Sequence, residues 1–179
     1  MDDFLVNRKT NRYHLIVAAI DKLCPNVSSK REKEVFASRK IIDILYPNQQ
    51  LSHDKFGAPI LSNGKAISIS HSKHLVSIIT ANKSASIDIE AVSEKALNVA
   101  PKFLSEQELK MANDAEKATL MWSVKECLFK IYKKGGLTFS TDLAVNNIKE
   151  SHVECFIFEQ KYTLNYEKFE EHWLVYYFD

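Results

Sequence analysis

The sequence is short of the features that most quickly place a protein. It has only three cysteines, Cys24, Cys127 and Cys155, an odd number with no CxxC pair among them. A disulfide framework or a cysteine-built zinc site is therefore not expected, and a reducing, cytoplasmic setting is. No apolar run reaches the roughly 20 residues that a membrane-spanning helix needs. The stretch MDDFLVNRKTNRYHLIVAAI gives way to Asp21 and Lys22, and no small-residue cleavage site follows. It reads as a core element rather than a leader or an anchor. Neither charge is in excess, since 24 Lys and Arg face 23 Asp and Glu. A general nucleic-acid binder and a disordered acidic tail are excluded, so any phosphate site has to be local. Low-complexity tracts, linkers and internal repeats are absent as well.

What is present is a chain of 179 residues with 45% hydrophobic content, enough to bury a proper core as one domain or two small fused ones. Residues 12–23 form a short apolar segment that fits a strand or a helix. Ser28-Ser29 looks like a helix start, and Val35, Ile41, Ile42 and Leu45 then recur at helical spacing up to Pro47. Residues 47–65, rich in Asn, Gln, Gly and Pro, read as a loop. Alternating runs at 65–70 and 75–80, linked by 71–74, predict a β-hairpin, and a third strand is expected at 86–90. Helices are expected at about 95–101, 105–117 and 117–133, the last ended by Gly135-Gly136, followed by strands at 153–158, 162–166 and 173–178.

Three patterns carry chemistry. In Ile87-Asp88-Ile89-Glu90 a strand would send both isoleucines into a core and both carboxylates to the opposite face. Side-by-side carboxylates repel unless a proton or a cation sits between them, and a hard ion such as Mg²⁺ takes oxygen ligands and substrate phosphates. Alone, the pair is better read as a solvated strand face. In Trp122-Ser-Val-Lys-Glu126-Cys-Leu-Phe-Lys130, the residues Leu120, Val124, Cys127, Leu128 and Ile131 form an apolar helical stripe. Glu126 and Lys130 stack on its flank, where an ordinary surface pair would also sit. Trp122, one turn before Glu126, is core or pocket wall. Third, Ser68, Ser70, His71 and Ser72 cluster where a strand ends, a place to hold phosphate oxygens or a plain polar turn.

Taken in order, Ser70-His71-Ser72, Ile87-Asp-Ile-Glu90, Lys102-Phe-Leu-Ser-Glu106, Trp122-Ser-x-Lys-Glu126-x3-Lys130 and Gly136-Leu137 resemble the 4'-phosphopantetheinyl transferase superfamily, in its longer, single-chain, pseudo-dimeric type. The resemblance spans roughly 55–145, with weaker agreement in the helix at 30–45. It implies an α+β fold of two similar α/β halves: 1–85, and 86–179 carrying the metal site, with the active site between them. The implied activity is Mg²⁺-dependent transfer of phosphopantetheine from coenzyme A to a serine of an apo acyl or peptidyl carrier protein, releasing 3',5'-ADP, as in a holo-[acyl-carrier-protein] synthase. A degenerate relative that only binds carrier proteins is the alternative.

By the same resemblance Asp88, Glu90 and Glu126 would hold Mg²⁺, and Lys130 would touch the pyrophosphate and stabilise or protonate the leaving group. Glu126 or a water would take the serine proton. Ser70 and His71 would hold coenzyme A phosphates, and Arg39, with Arg31, would meet the nucleotide end. The usual Gly-Lys-Pro is here Gly57-Ala58-Pro59, which removes a frequent coenzyme A contact that nearby Lys55 could replace; Ser86 stands before Ile87 where Gly or Val is usual, and Cys127 follows Glu126 where Ala or Ser is. Carrier proteins are acidic around their helices, so Lys102, Phe103 and Leu104 are candidates for the docking face, with Phe103 and Leu104 equally suited to the core. A monomer without nucleic-acid or membrane partners is expected.

Overall fold

The computed structural model describes residues 4–179. The chain divides into two compact units: one runs to Ile87 and takes in Phe178–Asp179, the other is Asp88–Tyr177.

In the first unit, β1 (Phe4–Lys9), β2 (Tyr13–Ala19), β6 (Leu75–Ala81) and β5 (Ala66–Ser72) form an antiparallel sheet in the order β1-β2-β6-β5. Helix α2 (Lys30–Leu45) follows the one-turn α1 (Ile20–Leu23). Ile41, Ile42 and Ala37 of α2 are buried in one cluster with Ile16, Ala18, Ile67, Val76 and Ile78. The segment at 12–23 is both things the sequence allowed, a strand and then a helical turn. Leu15, Ile16, Val17 and Ala18 are all fully buried. A strand covered on both faces shows no alternation to read.

The helix stripe departs from expectation at Val35, which is 46% exposed beside Phe36 at 51%. The inward positions that follow it are instead the small residues Ala37 and Ser38, then Ile41 and Ile42. The expected loop at 47–65 contains a small hairpin, β3 (Leu51–His53) with β4 (Pro59–Leu61). Its turn closes on Asp54, whose Oδ1 accepts the N–H groups of Phe56 and Ala58 at 2.8 and 2.9 Å. The hairpin link is shorter than 71–74: His71 and Ser72 belong to β5, and the turn is Lys73-His74, with Lys73 at φ 51°.

The second sheet has the order β7-β11-β10-β9-β8, with β7 at Ala85–Ala91, β8 at Leu143–Ile148, β9 at His152–Ile157, β10 at Gln160–Phe169 and β11 at His172–Phe178. Helix α5 (Ala115–Tyr132) buries Met121, Val124, Cys127 and Leu128 with Val145, Val153, Cys155, Leu164 and Val175. Before it come α3 (Glu94–Val99), a 3-10 turn (Ala100–Lys102) and the one-turn α4 (Glu106–Leu109). The long helix expected at 105–117 is thus a single turn. Ser105 and Glu108 form a reciprocal capping box. Asp114 then caps a fresh helix by accepting the N–H of Lys117 at 2.7 Å, a second start signal that stops the first helix from running on. At the far end Lys133, not a glycine, takes the left-handed position at φ 59°. One-turn α6 (Phe139–Asp142) and strand β8 were not anticipated. Among the described residues no helix is long and apolar enough to cross a membrane.

Candidate active site

Strand β7 places Ile87 and Ile89 in the interior, both fully buried. Its alternate residues Asp88 and Glu90 face the same way, but not to solvent, since Asp88 is only 2% exposed. A carboxylate taken from water must be compensated, and α5 does this. Ser123 Oγ donates to Asp88 Oδ2 at 2.7 Å, and Lys130 Nζ donates to Oδ1 at 2.7 Å. Trp122 Nε1 donates to Glu90 Oε1 at 3.2 Å. Lys130 therefore bonds to Asp88, not to its helix neighbour Glu126. The ring of Trp122 packs edge-on to Phe103 and tilted against Phe139, with centroids 5.0 and 5.6 Å away.

Ser123, Glu126 and Lys130 follow an i, i+3, i+7 spacing, which puts them on one face of α5. That spacing was the available signal for Ser123, which the sequence reading did not assign. Burial and the neighbouring carboxylates shift the acidic groups together. Glu90 is pushed up to about 7, first by burial and then by Asp88, with Glu126 adding to the effect. Glu126 is also raised, by burial and by Asp88, against the opposing pull of Lys130. For Lys130, burial opposes the charged form, but Asp88 and the other nearby negative groups outweigh it and the ammonium is held more firmly than usual. Beside Glu90 and Trp122 lies a pocket of about 390 Å³, lined also by Ala91, Ala96, Val99 and Thr119.

Among the described residues, no three of His, Cys, Asp and Glu are gathered so as to hold an ion by themselves. The donor chemistry nonetheless fits a hard divalent cation. The site concentrates carboxylate oxygens, and two of the carboxyls are driven toward protonation by burial and mutual repulsion. A bound cation relieves the same repulsion. Mg²⁺ commonly takes one or two carboxylates and completes its shell with water and substrate phosphates, so a finished protein cage is not required.

Lys125, next to Glu126, is the largest fully buried side chain. Its ammonium shares three N–H donors among four acceptors: Glu108 Oε2 at 2.7 Å and the carbonyls of Phe103, Phe139 and Leu143 at 2.9, 2.8 and 2.9 Å. Glu108 Oε1 in turn accepts the N–H of Val145 at 2.7 Å. This network ties together the backbone at Phe103, Phe139, Leu143 and Val145. Glu108 carried no recognisable signal beyond its capping box.

Ser70, His71 and Arg39 belong to the first unit. Ser70 is buried on β5. His71 Nε2 lies 2.8 Å from Ser38 Oγ and 3.2 Å from the carbonyl of Glu34, which ties the imidazole to α2. Arg39 is exposed on α2 and, with Arg31, Val35 and Phe36, lines a groove of about 600 Å³. Lys55 sits over the ring of Phe56, 5.0 Å from its centroid. Phe103 and Leu104 are each 3% exposed and belong to the core, so of the three docking candidates Lys102 is the exposed one.

No curated protein matches the chain. The sequence model of the 4'-phosphopantetheinyl transferase superfamily matches residues 86–177, a stretch that runs from the start of the carboxylate strand through α5 to the last strand of its sheet. With the carboxylates of β7 and the polar face of α5 lying inside that match, the chain belongs to the 4'-phosphopantetheinyl transferase superfamily.

Proposed function

We propose that the chain transfers the 4'-phosphopantetheine group of coenzyme A to a serine of an apo acyl or peptidyl carrier protein and releases 3',5'-ADP. Family membership supports the class of reaction. The observation that carries the finer reading is the bond of Lys130 to Asp88 on the same patch as two carboxyls of raised pKa, Glu90 and Glu126.

The serine hydroxyl attacks the β-phosphorus, the phosphorus–oxygen bond to the 3',5'-ADP moiety breaks, and the hydroxyl proton leaves. Asp88, Glu90 and Glu126 would hold Mg²⁺, which supplies the positive charge that offsets the pyrophosphate and the charge developing in the transition state. Lys130, kept charged by Asp88, would donate to the pyrophosphate and stabilise the departing oxygen. Glu126, or a water, would accept the serine proton. Asp88 orients Lys130, and Ser123 fixes Asp88. Ser70, His71 and Arg39 would contact the coenzyme A phosphates.

The test is incubation with Mg²⁺, coenzyme A and a panel of apo carriers, with the carrier mass as readout. A gain equal to one phosphopantetheine on a serine supports transfer. Saturable carrier binding with no mass gain would support a carrier-binding module instead, and neither outcome on any carrier would sink both readings.

A further inference from the structure

We propose that the first unit carries a second, separate anion site that binds a small phosphate- or pyrophosphate-bearing molecule. It is a pocket of about 270 Å³ where the β1–β2 turn meets the end of α2 and the facing ends of β5 and β6. Three cationic side chains line it, Lys9, Arg12 and Lys65, and among the described residues no acidic side chain does. His14, Tyr46 and Thr80 add polar groups to its wall. In a chain whose charges otherwise balance, three like charges around one concavity are a local field that an anion would satisfy.

The pocket is built, not only decorated. Thr10 Oγ1 accepts the N–H groups of Arg12 and Tyr13, both at 3.1 Å, so the turn that presents Arg12 is fixed. Arg12 stacks over the ring of Phe178, 4.9 Å from its centroid, and Tyr13 stacks on that same ring at 4.2 Å. A guanidinium held by its face keeps its N–H edge in a set direction, the geometry that suits a phosphoryl group. Lys65 Nζ is steered by Asn82 Oδ1 at 3.1 Å, and Tyr46 Oη lies 2.6 Å from Thr80 Oγ1 at the base. Asp179, which follows Phe178 in the chain, pairs with Lys83 at 4.0 Å. Burial, and then the charge of Lys9, hold His14 below the ordinary imidazole range.

Position separates this pocket from the residues proposed for coenzyme A. Ala66 pairs with Ala81 at one end of the β5–β6 ladder, whereas His71 pairs with Val76 near the other, roughly 16 Å along the strand. The volume is also below the range of about 300–1,000 Å³ typical of pockets for larger ligands. A phosphate or pyrophosphate group fits, and the whole coenzyme does not.

The experiment is an NMR titration of the full chain with inorganic phosphate and with pyrophosphate at constant ionic strength, following the amides of Arg12 and Thr80 and the ring of His14. Saturable shifts at all three, with the His14 titration midpoint moved upward by the bound anion, are the expected result. Combined Lys9→Ala, Arg12→Ala and Lys65→Ala changes, all at exposed positions, should weaken binding by about tenfold or more, with the fold checked by circular dichroism. His71→Ala should leave binding unchanged. Shifts confined to Ser70 and His71, shifts that track ionic strength alone, or an unaltered affinity in the triple variant would overturn the site. Its fate is independent of whether the protein transfers phosphopantetheine, because the readout is binding at residues that the transfer reading does not use.

Discussion

Lys125 and Lys130 stand five residues apart on one helix, and their burial sets them to different work. Lys130 reaches a carboxylate at the candidate site, while Lys125 is sealed in a cage of one carboxylate and three carbonyls. Lys125→Met should therefore act on stability. It leaves Glu108 buried without its cation, an error that costs about 3–5 kcal/mol, and urea unfolding should show it as a lower midpoint. At the candidate site the expectation is reversed. Asp88→Ala and Glu126→Ala should each lower turnover by on the order of a hundredfold or more; Glu126→Ala should leave the unfolding midpoint little changed, whereas Asp88→Ala also removes the acceptor of Ser123 and Lys130 and should lower it. Trp122→Phe keeps an aromatic ring but loses the hydrogen bond to Glu90 and part of the packing against Phe103 and Phe139, so a loss of a few fold is expected. Single-turnover measurements of carrier modification check all three, and full activity of Asp88→Ala would remove the assignment of that carboxylate. The pairing of Asp88 with Glu90 was legible because strand alternation is rigid. Their burial was not, because it depends on α5 lying across them. The alignment of Lys130 with Asp88 is likewise a product of packing, since the helix by itself offers Glu126 as partner.

At the scale of elements, legibility follows how many independent signals a segment carries. Helix α5 has an Asp cap, a long apolar stripe and a polar face, and the sequence reading finds its body. Strand β8 reads LAVNNI and has its register shifted between Val145 and Asn147, so the alternation that would reveal it is broken. The hairpin β3–β4 hides in a stretch dominated by turn residues, and each of its strands has three residues. The pairing of β7 with α5 also yields a pH prediction. Glu90 binds its proton more tightly in the folded chain, up to about 7, than the roughly 4.3 of an unfolded carboxyl. In chelator, the folded state then holds more protons than the unfolded state across this window. The Glu90 contribution to stability is fully present below the unfolded value and is lost as pH rises through about 7. Thermal unfolding between pH 4.5 and 8 should show this decline, and Glu90→Gln should flatten it. Proton and cation compete for the same oxygens, so added Mg²⁺ should restore stability most at the alkaline end. A wild-type profile that matches Glu90→Gln would show that Glu90 is not perturbed.

At the scale of the whole molecule the charge balance matters most. With 24 basic and 23 acidic residues, no global field draws an acidic carrier protein toward the chain, so recognition rests on local groups whose effects can be separated. Phe103 and Leu104 are core residues, so a carrier docking near the 3-10 turn would meet Lys102 as a rim charge and not an apolar anchor. Rim charges act mainly on the rate of encounter. Lys102→Glu should raise the carrier KM by a few fold and flatten its dependence on salt, and leave the coenzyme A KM unchanged. Arg39 is placed for the opposite result. Exposed on α2 beside Arg31, Val35 and Phe36, it is proposed to meet the nucleotide, and Arg39→Glu should raise the coenzyme A KM by about tenfold or more through loss of a charge-assisted contact. Measuring both KM values for both variants, at two salt concentrations, decides the assignment. If Arg39→Glu moves only the carrier KM, the groove on α2 is the docking face and the nucleotide is held elsewhere. If Lys102→Glu moves neither, Lys102 is a solvated charge, and carrier steering must come from other lysines.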